Sequence, residues 1–334
     1  MPERDDRSSR IEKELFLRSL QFTRTGRATG MGAIAETMAA RMRTAVFPAG
    51  TTLYRAGEAA QFVYFIKRGL VELRKDGEEP WIFRDREIIG ILDVMKDQAR
   101  GRSAVATTDT VALVVGADDW FEILEDNFDV TRNAISNIAR GLHDLSLQLP
   151  PTGGFPLPSP DDTDVRPIHS LDTVERIIAL RDIPLLVRAG VQSLTDLAAS
   201  LEERRLAAGD VLFRSGDPSE GFFLVGRGLV EIGCENPTIR AGFGPGEVVG
   251  GYGAIALNHQ AFDAAARIPS LVYRLGLEEY YDLMEDHFEL ARALFAQMAV
   301  AREDLLRRVA ERKRLTGGAQ DPALAPARVL SSAG

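Results

Sequence analysis

The chain has 334 residues, with 40 Lys and Arg against 49 Asp and Glu, a net charge of −9 and a hydrophobic content of 45%. That is too long for one ordinary domain, balanced for a globular core, and acidic enough to argue against DNA as a general partner. No stretch reaches the roughly 18 to 20 apolar residues of a membrane span, and the single cysteine, Cys234, with four scattered histidines excludes an intramolecular disulfide and a Cys/His metal cluster.

From the start of the chain, residues 1–14 are polar and charged, lack the apolar core of a secretory signal, and read as a disordered arm of a cytoplasmic protein. A first domain is expected over 15–148. It opens with a helix over Ile34–Met42. Short apolar runs such as Phe62-Val-Tyr-Phe-Ile66 and Leu70-Val-Glu-Leu73 follow, broken by turns at Gly57 and Gly69. Asp118 or Asp119 is placed to cap a helix carrying Trp120, Phe121 and Leu124. Glu125-Asp126 beside Phe128 reads as a helix corner. Beyond it Ile135, Ile138, Leu142, Leu145 and Leu149 form an apolar stripe at helical spacing. Residues 149–168 read as an extended linker, since Pro150–Asp162 holds five prolines and two glycines in thirteen residues.

A second domain is expected over 169–314. It repeats the order: a helix over Ser193–Leu206, strands around Phe222-Phe-Leu-Val225, and a final helix with a stripe at Leu294, Met298, Leu305 and Val309. The two stripes either pack on their own domains or form a seam to a protein partner or a second copy of the chain. Residues 315–334 read as a disordered tail, too short and too rich in Ala, Pro, Gly and Ser for a helix-turn-helix.

The repetition is specific. Arg68-Gly-Leu-Val-Glu72 recurs as Arg227-Gly-Leu-Val-Glu231, Gly57 matches Gly216, Gly90 matches Gly250, and Glu125-Asp126-Asn127-Phe128 matches Glu285-Asp286-His287-Phe288. A duplicated antiparallel roll with flanking helices is therefore expected, an α+β to mainly β fold.

Leu53-Tyr-Arg-Ala-Gly-Glu58 and Leu212-Phe-Arg-Ser-Gly-Asp217 each precede an aromatic strand and Arg-Gly-Leu-Val-Glu. With the flanking helices, this order resembles the cyclic-nucleotide-binding domain family, which includes the catabolite activator protein group and the cAMP-dependent kinase regulatory subunits. The resemblance implies two tandem β-rolls, each with a ligand cassette running from a Gly-Glu-Leu start to an Arg-Ser/Ala-Ala end. Within it an arginine and short-helix amides hold the cyclic phosphate, and a glutamate takes the ribose hydroxyl.

Carried onto this sequence, the first cassette has Gly90, Leu92 and Asp93 at its start and Arg102, Ser103 and Ala104 at its end. Arg102 falls on the ligand arginine, with Arg100 as the substitute if the loop is longer than usual. Ile91 stands at the glutamate position and accepts no hydrogen bond; Asp93 could stand in only if it faces the same way. In the second cassette Gly250 is kept, but Gly251 and Phe262-Asp263 occupy the glutamate and arginine positions. A ring and a carboxylate suit no phosphate. The resemblance thus implies a non-enzymatic sensor, with cAMP, cGMP or another small anion in the first domain and a degenerate second domain. The competing expectation is a ligand-independent scaffold. No catalytic constellation is found, and no cofactor is required.

Overall fold

The computed structural model describes residues 2–18, 31–146, 148–149, 170–181, 183, 186, 189–219, 221–233, 240–251 and 253–315. The expected linker, apart from Leu149, and the tail beyond Leu315 lie outside the described residues.

The polar start of the chain is helical: α1 spans Pro2–Arg18 and α2 Met31–Arg41. The arm expected over 1–14 is corrected on this point. Its apolar residues are few, yet Leu17 is fully buried, Lys13 Nζ donates to the Met42 carbonyl at 2.9 Å, and Arg10 pairs with Glu36 at 2.8 Å.

Eight strands then build the first roll: β1 Arg43–Phe47, β2 Thr52–Tyr54, β3 Phe62–Arg68, β4 Val71–Arg74, β5 Trp81–Phe83, β6 Ile88–Ile89, β7 Ser103–Ala106 and β8 Thr110–Gly116. The helix α3, Ile91–Lys96, interrupts them between β6 and β7; α4, Ala117–Asp126, and α5, Phe128–Ser146, close the repeat. After α6, Thr173–Arg181, and α7, Val191–Ser200, the second roll has β9 Glu202–Leu206, β10 Val211–Phe213, β11 Gly221–Arg227, β12 Val230–Gly233, β13 Arg240–Phe243, β14 Val248–Val249, β15 Asp263–Ala266 and β16 Ser270–Gly276. A five-residue π-helical turn, Gly253–Leu257, stands where α3 stands in the first repeat. Helices α8, Leu277–Asp286, and α9, Phe288–Leu315, end the described chain.

Each roll is two four-stranded antiparallel sheets of the same strand order. They are β1-β8-β3-β6 with β2-β7-β4-β5, and β9-β16-β11-β14 with β10-β15-β12-β13. Even an irregularity is duplicated: the register slips between Thr52 and Tyr54 in one roll and between Val211 and Phe213 in the other. The duplication and the fold expected from the sequence are both present.

The strand β3 reads as a continuous apolar run because both of its faces are covered. Tyr64 and Ile66 join Tyr54, Val71, Leu73, Ile89 and Ala104 inside the roll, while Phe65 packs outside it on Trp120 at 5.8 Å. Each such side chain contributes roughly 1.5–3 kcal/mol on burial. In the second roll Phe213, Phe223, Val225, Val230 and Val249 fill the same interior. Gly69 and Gly228 are obligatory: φ is +118° and +88°, and a Cβ would fall 2.4 Å from the hydroxyl oxygen of Thr110 or Ser270.

Two local expectations are corrected. Residues 202–206, expected to continue a helix, form β9, because Glu202–Leu206 pairs in register with β16. The cap of α4 is Gly116 rather than Asp118 or Asp119, with no side-chain bond; both acids lie in the first turn, where they suit the helix dipole. The helix corners break where expected, at Asn127 and His287.

By proximity the chain divides into two compact units, Met1–Ile138 with Asp172–Leu201 and Gly276–Val300, and Ala139–Leu171 with Glu202–Leu275 and Ala301–Gly334. They do not follow the repeats. In the first unit, helices from both repeats pack together: Phe128 lies 6.4 Å from Tyr281, Arg292 sits 4.3 Å over Phe121, and Arg132 pairs with Glu278 and sits 4.4 Å over Tyr281. In the second unit, Leu171 N donates to the Tyr273 hydroxyl at 3.0 Å, and Arg312 donates to the Gln148 carbonyl. Of the stripe residues, Ile135, Leu142, Leu294, Met298 and Val309 are buried, and Ile138, Leu145 and Leu305 are half-buried.

Candidate functional site

The first cassette begins where β6 ends. Gly90 has φ +79°, and the turn it makes launches α3. Its missing side chain has a second use: a Cβ there would lie 2.7 Å from Arg100 Nη1. The glycine leaves room for a guanidinium.

Arg100 occupies that room. Its side chain is 1% exposed. Nη1 donates to the Gly90 carbonyl at 2.6 Å, and Nη2 donates to the Phe62 carbonyl. Asp93 Oδ2 stands 3.7 Å from Nη1, and the guanidinium carbon lies 4.2 Å from the centre of the Tyr54 ring. Burying a cation is expensive, and an acid, two carbonyls and a ring face together offset the cost. Nε remains buried with no hydrogen-bond partner, and so does the Tyr54 hydroxyl. Burial, opposed by the nearby Arg100 charge, pushes the Tyr54 phenol well above its usual range, so it stays a neutral donor.

The main chain fixes where Arg100 sits. Gly57 N donates to the Arg100 carbonyl and Arg100 N to the Glu58 carbonyl, both at 2.8 Å. The β2–β3 turn thereby clamps the residue three places before β7. Asp93, in the first turn of α3, also accepts from Gly101 N at 3.3 Å and lies 3.7 Å from Lys96 Nζ.

Arg102 is placed differently. Its guanidinium lies 3.9 Å over the Trp81 ring and pairs with Glu78 on the β4–β5 hairpin. A hydrogen bond from Lys75, and the nearby Arg102 charge, hold the Glu78 carboxyl below its ordinary range. Ser103 Oγ accepts from Ala56 N at 2.9 Å, and Ala104 is buried in the roll. Leu92 and Ile91 are half-buried. Of the residues expected from the sequence, Gly90, Asp93 and Arg100 come together in the interior; Arg102 stands apart with Glu78 and Trp81. Tyr54, Glu78 and Trp81 were not anticipated. The one sequence signal at Tyr54 is its alignment with Phe213 across the repeat, which reads as a shared core position.

The second cassette has the same backbone frame. Gly216 N donates to the Gln260 carbonyl at 2.9 Å, and Gln260 N to the Asp217 carbonyl at 2.8 Å. Gln260 is thus the structural counterpart of Arg100. It is buried, donates to Ser219 Oγ at 2.8 Å, and lies near Gly250 and Gly253. Phe213 replaces Tyr54, and Gly253 replaces Asp93. Phe262 and Asp263 are exposed, and Asp263 accepts from Ser215 N at 2.7 Å. Arg267, past β15, is exposed and lies 3.4 Å from Glu231.

Residues 44–127 and 203–287, together half of the chain, match the sequence model of the cyclic nucleotide-binding domain. Uncharacterized NTE family proteins of Mycobacterium bovis and Mycobacterium tuberculosis are 28% identical over 140 residues, 42% of this chain. The matched part spans only 24% of those relatives' length. Among solved structures, the regulatory domain of Toxoplasma gondii PKA with cAMP aligns with 91% of this chain and 97% of its own, at 16% identity and a TM-score of 0.33. The regulatory subunit of a cAMP-independent protein kinase A from Trypanosoma cruzi bound to guanosine aligns over 93% and 95%, at 17% identity and a TM-score of 0.33.

Proposed function

The chain belongs to the cyclic nucleotide-binding domain family, and from that premise we propose that it is a non-catalytic regulatory protein whose first repeat takes a cyclic nucleotide or another small anion. Arg100 is the seat of the anion, and the second repeat is a degenerate copy that takes none. One observation carries this reading: a buried guanidinium in the first cassette stands where the second has the neutral Gln260. A cation held out of water meets an anion with little screening, so the buried guanidinium favours an anionic ligand. Ile91 accepts no hydrogen bond, which makes the anion rather than a sugar hydroxyl the recognised group.

The test is thermal unfolding with millimolar cAMP and cGMP, on the full chain and on Arg100→Gln, which copies the second repeat. A ligand at 100 times its Kd adds about 2.7 kcal/mol of stability. A ligand shift absent from Arg100→Gln supports the reading; an equal shift in both proteins removes Arg100 from it.

A ligand-independent scaffold is the second reading. It is favoured by the closure of Arg102 on Glu78 and Trp81, and weakened by the burial of the helical stripes within the chain, which leaves those faces covered. It requires that neither nucleotide shift the unfolding of the intact chain.

A further inference from the structure

We infer that the Tyr54 hydroxyl is a ligand-contacting donor of the first repeat, acting beside Arg100 Nε on an anionic oxygen of the bound ligand. The inference rests on the reading of the first repeat as an anion site. Two buried polar atoms without partners, Arg100 Nε and Tyr54 OH, belong to side chains stacked on one another. The large majority of buried side-chain polar atoms have a hydrogen-bond partner. Two orphans on one stacked pair therefore mark a place where a partner is wanted.

Both orphans are donors. An arginine Nε can only donate, and the neutral phenol supplies an O–H. The partner they fit is an acceptor, and beside a guanidinium an anionic oxygen, phosphate or carboxylate, satisfies both best. The second repeat supports the same conclusion: where Gln260 replaces Arg100, Phe213 replaces Tyr54, and the hydroxyl is lost together with the charge. A hydroxyl retained only to fill space has no reason to follow the charge.

Tyr54→Phe tests this on the full chain, with cAMP, cGMP and inorganic phosphate as probes. The variant keeps the ring over Arg100 and copies Phe213, which the interior of the second roll accommodates. Removing an unsatisfied buried hydroxyl should leave the empty protein as stable as the parent or raise its denaturation midpoint. Affinity for the bound probe should fall about tenfold, the equivalent of one hydrogen bond of about 1.4 kcal/mol. Opposite movements of stability and affinity are not what a packing role gives. If the parent binds a probe and Tyr54→Phe binds it equally well, the inference is overturned and the Arg100 site stands. If the parent binds none of the three, the site reading fails and the inference with it.

Discussion

The two cassettes of this chain share a frame and differ in their chemistry. Both are opened by a left-handed glycine, Gly90 or Gly250, and both are clamped by paired backbone bonds from the β2–β3 or β10–β11 turn. Inside that frame, the first repeat places Tyr54, Asp93 and Arg100; the second places Phe213, Gly253 and Gln260. The changes are concerted. Removing the guanidinium removes the need for a carboxylate beside it, and a neutral Gln260 donates to Ser219. The fold survives on main-chain bonds and an apolar interior, so side chains at the cassette are free to specialise or to decay.

The largest effect is expected from forcing the first chemistry on the second frame. Gln260→Arg would bury a guanidinium beside Gly253, with no acid in Asp93's place. A cost of about 3–5 kcal/mol is expected for the unpaired charge, read by urea unfolding. Near-neutral behaviour would mean that the second interior tolerates charge and that the two cassettes differ little.

Next in size are Gly69→Ala and Gly228→Ala. Both glycines have positive φ, and a Cβ would overlap main-chain atoms of Thr110 or Ser270 at 2.7 Å. Each should cost about 3 kcal/mol, from strain and overlap together. Similar losses at both sites are the expected sign of one architecture used twice, and a loss at one site alone would break it.

The smallest effect concerns Glu78, whose folded pKa is depressed chiefly by the Lys75 hydrogen bond, with Arg102 adding to it. A carboxyl with a lowered folded pKa stabilises above its unfolded pKa, about 4.3, and loses that contribution as pH falls through the folded value. The group is largely exposed, so solvent screening keeps the effect below about 1 kcal/mol. Stability measured between pH 6 and pH 3 should therefore fall slightly less steeply in Glu78→Gln than in the parent; a steeper fall in the variant would contradict the pairing.

Most of the frame was legible in the sequence. Gly69 and Gly228, the twin Arg-Gly-Leu-Val-Glu segments and the breaks before Phe128 and Phe288 are local signals, and each stands where it was expected. The choice between Arg100 and Arg102 was not legible. It depends on Gly57 and Glu58 bonding to Arg100 across some forty residues, and a loop of uncertain length hides that register. Residues 202–206 depart from helix for a similar reason: their pairing with β16 is a tertiary fact. Tyr54 was hidden by its type, because an aromatic residue in a strand reads as core until its hydroxyl is found without a partner.

In the proposed reading one repeat, and one arginine within it, holds the anion. Equilibrium dialysis of labelled cAMP and cGMP against the full chain, Arg100→Gln and Gln260→Ala measures this directly. One nucleotide per chain is expected, retained in Gln260→Ala and bound at least tenfold more weakly in Arg100→Gln. Two nucleotides per chain, or one that survives Arg100→Gln undiminished, would contradict it.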